Sequence, residues 1–432
     1  MSDLFGDTEL WFVDTPELLA EMVSELQDAT VIGVDTESDS FHHYKEKVCL
    51  IQFSDHKRDY IVDPLRVPDL ESLAPFFSDP DVVKIFHGAD YDIVCLNRDF
   101  GFTFKNIFDT MIAAQMAGMP RIGLADLIDR YFGITIDKQY QRHDWARRPL
   151  QDEHIQYARG DTHFILAIRE LLMLRLAKLG RLGHVEEECV LLEDREFKPR
   201  EPDPHPWLKT KRSAHLTDNQ KRVLKHLWYY RDKEAERADR PPFKVLPDPV
   251  LVKSAEVRPK TLDELERLFP KKSAMRRRYG KGMVAAVLAG IEDDSPVPKL
   301  SRKPRKKVET PKGPPRKLHG RQAERALDAL KQWRNDVVDH TPGRTPVTVA
   351  SNSVLKNIAA VRPLDLDELR AIPDVRNWQV ADFGEQLLEV LEEVVPADKI
   401  GDESDEGPAP SSSGSGAKRK RRRRRKKASE DA

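Results

Sequence analysis

Cysteine is scarce in this chain. Cys49, Cys95 and Cys189 are the three present in 432 residues, an odd number spaced too widely for a zinc knuckle or a disulfide framework. A reducing compartment, the cytoplasm, is therefore the expected setting. Long apolar runs are missing as well. The least polar stretch, Gly282 to Ile291, is about half the roughly 20 residues that span a bilayer, so no membrane association is expected. The start, Met1-Ser2-Asp3, is acidic, whereas a secretory signal opens with basic residues and an apolar run. No G-x-x-x-x-G-K-[ST] loop occurs, since Arg278-Tyr279-Gly280-Lys281-Gly282 does not satisfy it, and an ATP-driven helicase is excluded.

Charge, by contrast, is abundant and unevenly placed. Lys+Arg 72 against Asp+Glu 73 leaves a net charge of −1, which hides two opposed halves. Residues 1–200 hold 37 acids and 22 bases, whereas residues 201–432 hold 36 acids and 50 bases. The length is about three times a typical domain of roughly 150 residues, so two to four domains are expected. Two segments fall outside any core. Residues 296–317 are rich in Pro, Lys and Arg, with Glu309 the single acid, and read as a solvated linker. The end, from 397 onward, carries ten consecutive bases, Lys418 to Lys427; such a run repels itself, and a disordered polybasic tail is expected.

The first 200 residues alternate strand and helix signals. Val31-Ile32-Gly33-Val34, Val48 to Phe53, Tyr60-Ile61-Val62 and Val82 to Phe86 are short, β-branched-rich runs that predict strands. Helical periods cover Pro16 to Leu26, Tyr91 to Phe100, Thr110 to Met116 and Ile155 to Leu179. A strand meander followed by alternation predicts an α/β domain with a mixed sheet flanked by helices. Beyond Trp207 strand signals fade and a weak repeat appears. Leu224, Leu227, Tyr230 and Arg231 line up with Leu327, Leu330, Trp333 and Arg334. After a one-residue slip, Val257-Arg258-Pro259 matches Val361-Arg362-Pro363. Two small all-helical modules, over 212–295 and 318–396, are expected, each large enough for a marginal core of its own.

Three acidic signals carry chemistry. Asp35-Thr36-Glu37 closes the first apolar strand, and period two sends both carboxylates to one face, where they repel unless a cation intervenes. His87-Gly88-Ala89-Asp90-Tyr91-Asp92 sits where a strand turns into a helix; Asp90 and Asp92 each suit a cap there, and helical phase barely separates them. Tyr157 and Asp161 stand one turn apart on one helix face. His154 and His163 lie near Asp161 and are read as exposed or capping histidines.

Taken together and in this order, these motifs resemble the tyrosine subtype of the DEDD exonuclease superfamily, and within it the ribonuclease D family. Val48-Cys49-Leu50-Ile51-Gln52, Lys84-Ile85-Phe86-His87-Gly88-Ala89, Phe108-Asp109-Thr110 and Gln141-Arg142-His143-Asp144-Trp145 follow that family's wording over about residues 10 to 180. The helical repeats are similar to HRDC modules, small nucleic-acid-binding domains. The resemblance implies a ribonuclease-H-like exonuclease domain over 1–200, and it places the second acidic position on Asp92. It implies that Asp35, Glu37, Asp92 and Asp161 hold two divalent ions, Mg2+ or Mn2+, with Asp35 bridging. Tyr157, whose phenol pKa is near 10, would orient the attacking water rather than act as base. Gln156 stands where the sibling subclass has histidine.

The expected activity is metal-dependent 3′-to-5′ trimming of RNA, with tRNA precursors the implied substrate and a monomer the expected state. The basic half and tail would hold the polyanion, and Lys138, Arg142 and Arg148 are candidate substrate contacts. The alternatives are a DNA exonuclease in repair, using the same carboxylates, and an inactive nucleic-acid-binding scaffold. The exosome-associated relative is set behind ribonuclease D, because the exonuclease domain begins near residue 10.

Overall fold

The computed structural model describes residues 5–199, 201–269, 273–299, 318 and 320–400. The greater part of the expected linker, and the tail from residue 401 with its basic run, lie outside the described residues. The chain opens with β1 (Glu9–Val13), α1 (Pro16–Glu25), β2 (Val31–Ser38), β3 (Val48–Ser54), β4 (Arg58–Val62) and α2 (Ala74–Ser78). There follow β5 (Val83–Phe86), α3 (Asp90–Phe100), β6 (Ile107–Asp109), α4 (Thr110–Met116), α5 (Leu124–Phe132), α6 (Asp152–His163), α7 (Ile165–Leu179) and α8 (Leu182–Glu193). The six strands form one mixed sheet in the order β1-β4-β3-β2-β5-β6. Strand β3 runs antiparallel to both its neighbours, and the remaining pairs are parallel. Every residue of β3 is buried, as expected of a strand covered on both faces.

Strand β2 runs on through Asp35 and Glu37 to Ser38, so the acidic pair is held inside the sheet rather than just past a strand end. The register shift against β3 between Glu37 and Ser38 marks where regular pairing gives way. The single helical period over 155–179 breaks at Phe164 into α6 and α7. Each half has its own anchor. The hydroxyls of Thr162 of α6 and Ser54 of β3 hydrogen-bond at 2.8 Å, while the side chain of Ile165 at the start of α7 comes within 2.9 Å of where a Cβ on Gly33 would lie. Phe164 turns between them against Phe5 and Phe132. A glycine at 33 is what lets α7 approach β2 this closely.

The helical region comprises α9 (Asp218–Arg237), α10 (Pro242–Val245), α11 (Asp248–Val257), α12 (Leu262–Glu266) and α13 (Ala274–Glu292), then α14 (Gly320–His340), α15 (Asn352–Val361), α16 (Leu366–Arg370) and α17 (Asn377–Val394). The repeat has a physical basis. Buried Arg231 donates to the Leu246 carbonyl and the Asp248 carboxylate. Its counterpart Arg334 donates to the Ala350 carbonyl and the Asn352 side chain. Arg258 and Arg362 end α11 and α15 in left-handed conformation, at φ 55° and 53°.

The two modules differ in how they are held. The first has its own apolar cluster around Leu224, Leu227 and Met283. The second, expected to own an independent core, instead shares one cluster with α4, α5, α7 and α8 of the nuclease domain. Glu187 of α8 accepts from the backbone N–H of Asn377 and Trp378 at the start of α17. Glu188 accepts from Arg376 and the Trp378 indole, and His184 stacks on Trp378 with ring centroids 4.9 Å apart. A carboxylate on free N–H groups at a helix start complements the helix dipole, so α8 provides a fitted seat for the module.

Candidate active site

The centre of the sheet and α6 enclose a cleft of about 350 Å³, lined by Asp35, Thr36, Glu37, His87, Tyr157 and Asp161 among others. Four of the five predicted catalytic residues thus share one wall. The fifth, Asp92, is 8% exposed and lies just behind it, where the Thr36 hydroxyl donates to its carboxylate at 2.5 Å. Asp90, which helical phase could not separate from Asp92, is exposed and paired with Arg195 at 3.0 Å. The turn that presents Asp92 is built by Asp109. Its carboxylate accepts from the backbone of Gly88 and Ala89 while capping α4 through Met111 and Ile112.

Electrostatics bind the acids into one unit. Burial, then repulsion from Asp92, Asp161 and Glu37, lifts Asp35 well above the usual carboxylate range. Glu37 is raised by burial and by Asp161 and Asp92. Burial, opposed by the Thr36 hydrogen bond, pushes Asp92 up to about 6, and burial with Asp92 pushes Asp161 up to about 7. Such a set is unfavourable as anions unless a cation neutralises it. Among the described residues no three His, Cys, Asp or Glu form a ready-made metal cage. The fit to a metal rests on donor chemistry: three carboxylates on one open cleft with a fourth, Asp92, directly behind them, all hard oxygen donors suited to Mg2+ or Mn2+.

Tyr157 packs against Trp145, ring centroids 6.0 Å apart, and edge-on to Tyr140 at 5.8 Å. Burial first, then Asp161, Glu37 and Asp35, raise its phenol further above 10, so it is a hydrogen-bond donor at neutral pH. Helix α6 is fastened from behind. Arg159 donates to Asp59 at 2.6 Å and to the Thr8 carbonyl, Ser54 donates to Asp59, and His163 bonds Asp59 at 2.9 Å. His163 therefore faces away from the cleft. His154 accepts the Gln151 N–H and caps α6.

The three candidate substrate contacts diverge. Lys138 lines the cleft. Arg142 stands over the Phe41 ring at 5.7 Å, and Phe41 is 48% exposed. Arg148 is committed elsewhere: its guanidinium bonds Asp63 twice and the carbonyls of Trp145, Arg147 and Cys49. It secures the loop before α6, and its donors are spent on the protein rather than on a substrate. Motif spacing did not single out Thr36, His87, Asp109 or Arg159 as site residues, although each sits inside or beside a segment that the resemblance quoted.

Comparison with known proteins agrees with this geometry. A 3′-5′ exonuclease family model matches residues 11–177, and the HRDC domain model matches residues 220–287 and 323–391. Mouse exosome complex component 10 is 36% identical over 263 residues, 59% of this chain. The chain spans about 30% of the length of that relative and of its fly and worm counterparts. The catalytic core of RRP6 from Trypanosoma brucei is 33% identical, covering 66% of this chain and 80% of that one with a TM-score of 0.59. Escherichia coli RNase D, described as an exoribonuclease involved in structured RNA processing, is 25% identical over 89% of this chain and 99% of that one, with a TM-score of 0.60. The exosome-associated relatives, set behind ribonuclease D on the sequence, are the more identical over 59–66% of this chain, whereas RNase D matches along nearly its whole length. With its DEDD carboxylates, cleft tyrosine and two HRDC domains, the chain belongs to the ribonuclease D-like family of 3′-5′ exonucleases, a divalent-metal-dependent group.

Proposed function

We propose that this protein is a metal-dependent exoribonuclease that removes mononucleotides from RNA 3′ ends. The observation that carries the reading is the convergence of Asp35, Glu37, Tyr157 and Asp161 on one cleft, with Asp92 directly behind. Bound by these carboxylates, two Mg2+ or Mn2+ ions would supply an ionised water and a counter-charge for the leaving oxygen. The chain's own residues do the rest. Asp35 would be the ligand shared by the two ions, with Glu37 and Asp161 taking one and Asp92 the other, the division that the family resemblance implies. Tyr157, protonated and braced by Trp145 and Tyr140, directs the attacking water or a phosphate oxygen by donating a hydrogen bond. Lys138, which lines the cleft, meets the phosphates there, and Arg142, over the exposed Phe41 ring, is a further phosphate contact. Structured RNA 3′ ends, tRNA precursors among them, are the proposed substrates; the match to RNase D along both HRDC domains supports this choice.

The test is a 5′-labelled single-stranded RNA and its DNA counterpart, incubated with Mg2+ or Mn2+. A one-nucleotide ladder shrinking from the 3′ end, faster on RNA and lost in Asp35→Ala, is the expected result. A ladder on DNA alone would reassign the protein to DNA repair, and RNA binding without a ladder would make it a scaffold.

A further inference from the structure

His87 belongs to the cleft but to none of the metal-holding positions. It follows β5 and lines the cavity beside Asp35, Glu37, Leu124 and Lys138. Its protonation pattern can be worked out from its neighbours. Nδ1 lies 2.9 Å from the Thr110 hydroxyl, and that hydroxyl donates to the Phe86 carbonyl at 2.9 Å. A hydroxyl carries one proton, and a carbonyl only accepts. The Thr110 oxygen has therefore spent its proton and must accept one from Nδ1–H. Burial, opposed by Asp109, holds His87 below its usual value near 6.5, so the ring is neutral at pH 7 and carries a single N–H. Nε2 is left as a bare lone pair. Among the described residues it has no hydrogen-bond partner, and it is not one of the atoms sealed from solvent.

An acceptor facing a substrate cleft needs a donor. Phosphate oxygens offer none, and hard divalent ions prefer the neighbouring carboxylates. Base donors change from nucleotide to nucleotide, whereas the sugar hydroxyls are common to all RNA. We propose that His87 Nε2 accepts a hydrogen bond from a ribose hydroxyl of the 3′-terminal nucleotide, with Thr110 fixing the tautomer that makes this possible. The inference rests on the exonuclease reading above. If the hydroxyl is the 2′ one, His87 is the element that favours RNA over DNA.

The experiment compares single-turnover trimming of 5′-labelled RNAs that end in a ribo-, 2′-deoxy-, 2′-fluoro- or 3′-deoxynucleotide, by wild type and His87→Phe. The wild type is expected to trim the ribo end about three- to tenfold faster than the end lacking the contacted hydroxyl, the usual effect of one neutral hydrogen bond. In His87→Phe that ratio should fall to about one, through a slower ribo end. Loss carried by the 2′-deoxy and 2′-fluoro ends, fluorine being no donor, places the contact on the 2′ hydroxyl. Loss carried by the 3′-deoxy end places it on the 3′ hydroxyl, and either supports the proposal. Ratios unchanged by the substitution, or equal slowing of all four ends, would overturn it. Should His87→Phe fail to fold, Thr110→Val frees the ring to turn and should shrink the same ratio. Calorimetry with adenosine 5′-monophosphate and its 2′- and 3′-deoxy forms, in Mn2+, reads the contact without turnover. A wild type that trims nothing would remove the exonuclease reading, and the binding ratios would still judge His87.

Discussion

At the scale of single residues, the raised carboxylates set a testable balance between protons and metal. An acid whose pKa is raised in the folded state penalises folding once it ionises. The metal-free protein should therefore lose stability as pH climbs from about 4, the unfolded value, through the values near 6 and 7 of Asp92 and Asp161. A divalent ion needs the ionised forms, so protons compete with it below about pH 7. Mn2+ at a hundredfold excess over its Kd is expected to stabilise the fold by roughly 2.7 kcal/mol, and to raise the melting temperature more at pH 8 than at pH 5.5. Asp161→Asn should melt higher than wild type without metal at pH 8 and respond weakly to Mn2+. An equal Mn2+ response at both pH values would count against a carboxylate-held metal. Lys138 lines the cleft without belonging to the metal-holding set, and Lys138→Ala is expected to raise KM severalfold with little change in kcat. Its binding should also fall off less steeply with salt, by about 0.7 log unit per decade for one lost single-strand phosphate contact.

At the scale of elements, the network behind α6 explains how a helix can aim Tyr157 and Asp161 at a strand. Asp59 is 1% exposed. Burial pushes its pKa up, but His163, Ser54 and Arg159 more than offset this and hold it below the ordinary value. Its contribution to stability is thus present above about pH 4 and lost as pH falls further. Removing one partner of a buried pair strands the other, at a cost of about 3–5 kcal/mol. Arg159→Met is expected to lower the melting temperature and to reduce kcat more than KM, because the substrate-facing side chains remain but lose their aim. A kcat loss without any loss of stability would mean that Arg159 acts on the substrate directly. This layer was hard to read from sequence for a physical reason: Asp59 and Arg159 are 100 residues apart, and no local period announces their meeting. What sequence did expose is what chemistry spaces tightly, the pair Asp35 and Glu37 on one strand face and the pair Tyr157 and Asp161 on one helix face. Strands β1 and β6 were missed because both are short and paired in parallel with distant partners. The break at Phe164 was invisible because the apolar period runs through it; the two halves are separated by long-range anchors, Ser54 with Thr162 and Gly33 with Ile165.

At the scale of the whole molecule, the two HRDC domains are joined to the nuclease by unlike contacts. The first meets the loop after β2 through Asp239, which accepts from the Tyr44 N–H at 3.1 Å and bonds the His43 ring at 2.7 Å. Those polar contacts lie at the surface, where each contributes little. The second shares an apolar cluster with α4, α7 and α8 and is seated by Glu187 and Glu188. Charge composition suggested two halves with separate tasks, and it could not reveal that part of the basic half is fastened to the acidic one. In the Glu186-Glu187-Glu188 run, two of the three carboxylates are spent on the start of α17. A module docked this way cannot be removed without exposing the apolar side of the nuclease. Deleting residues from 318 onward is therefore expected to lower the melting temperature of the nuclease domain itself and to promote its aggregation. Glu187→Ala/Glu188→Ala should do less, releasing the start of α17 and increasing amide hydrogen exchange there and in α8. If the truncated protein melted and trimmed like the full chain, the second HRDC domain would be a tethered binding module and not part of the catalytic body.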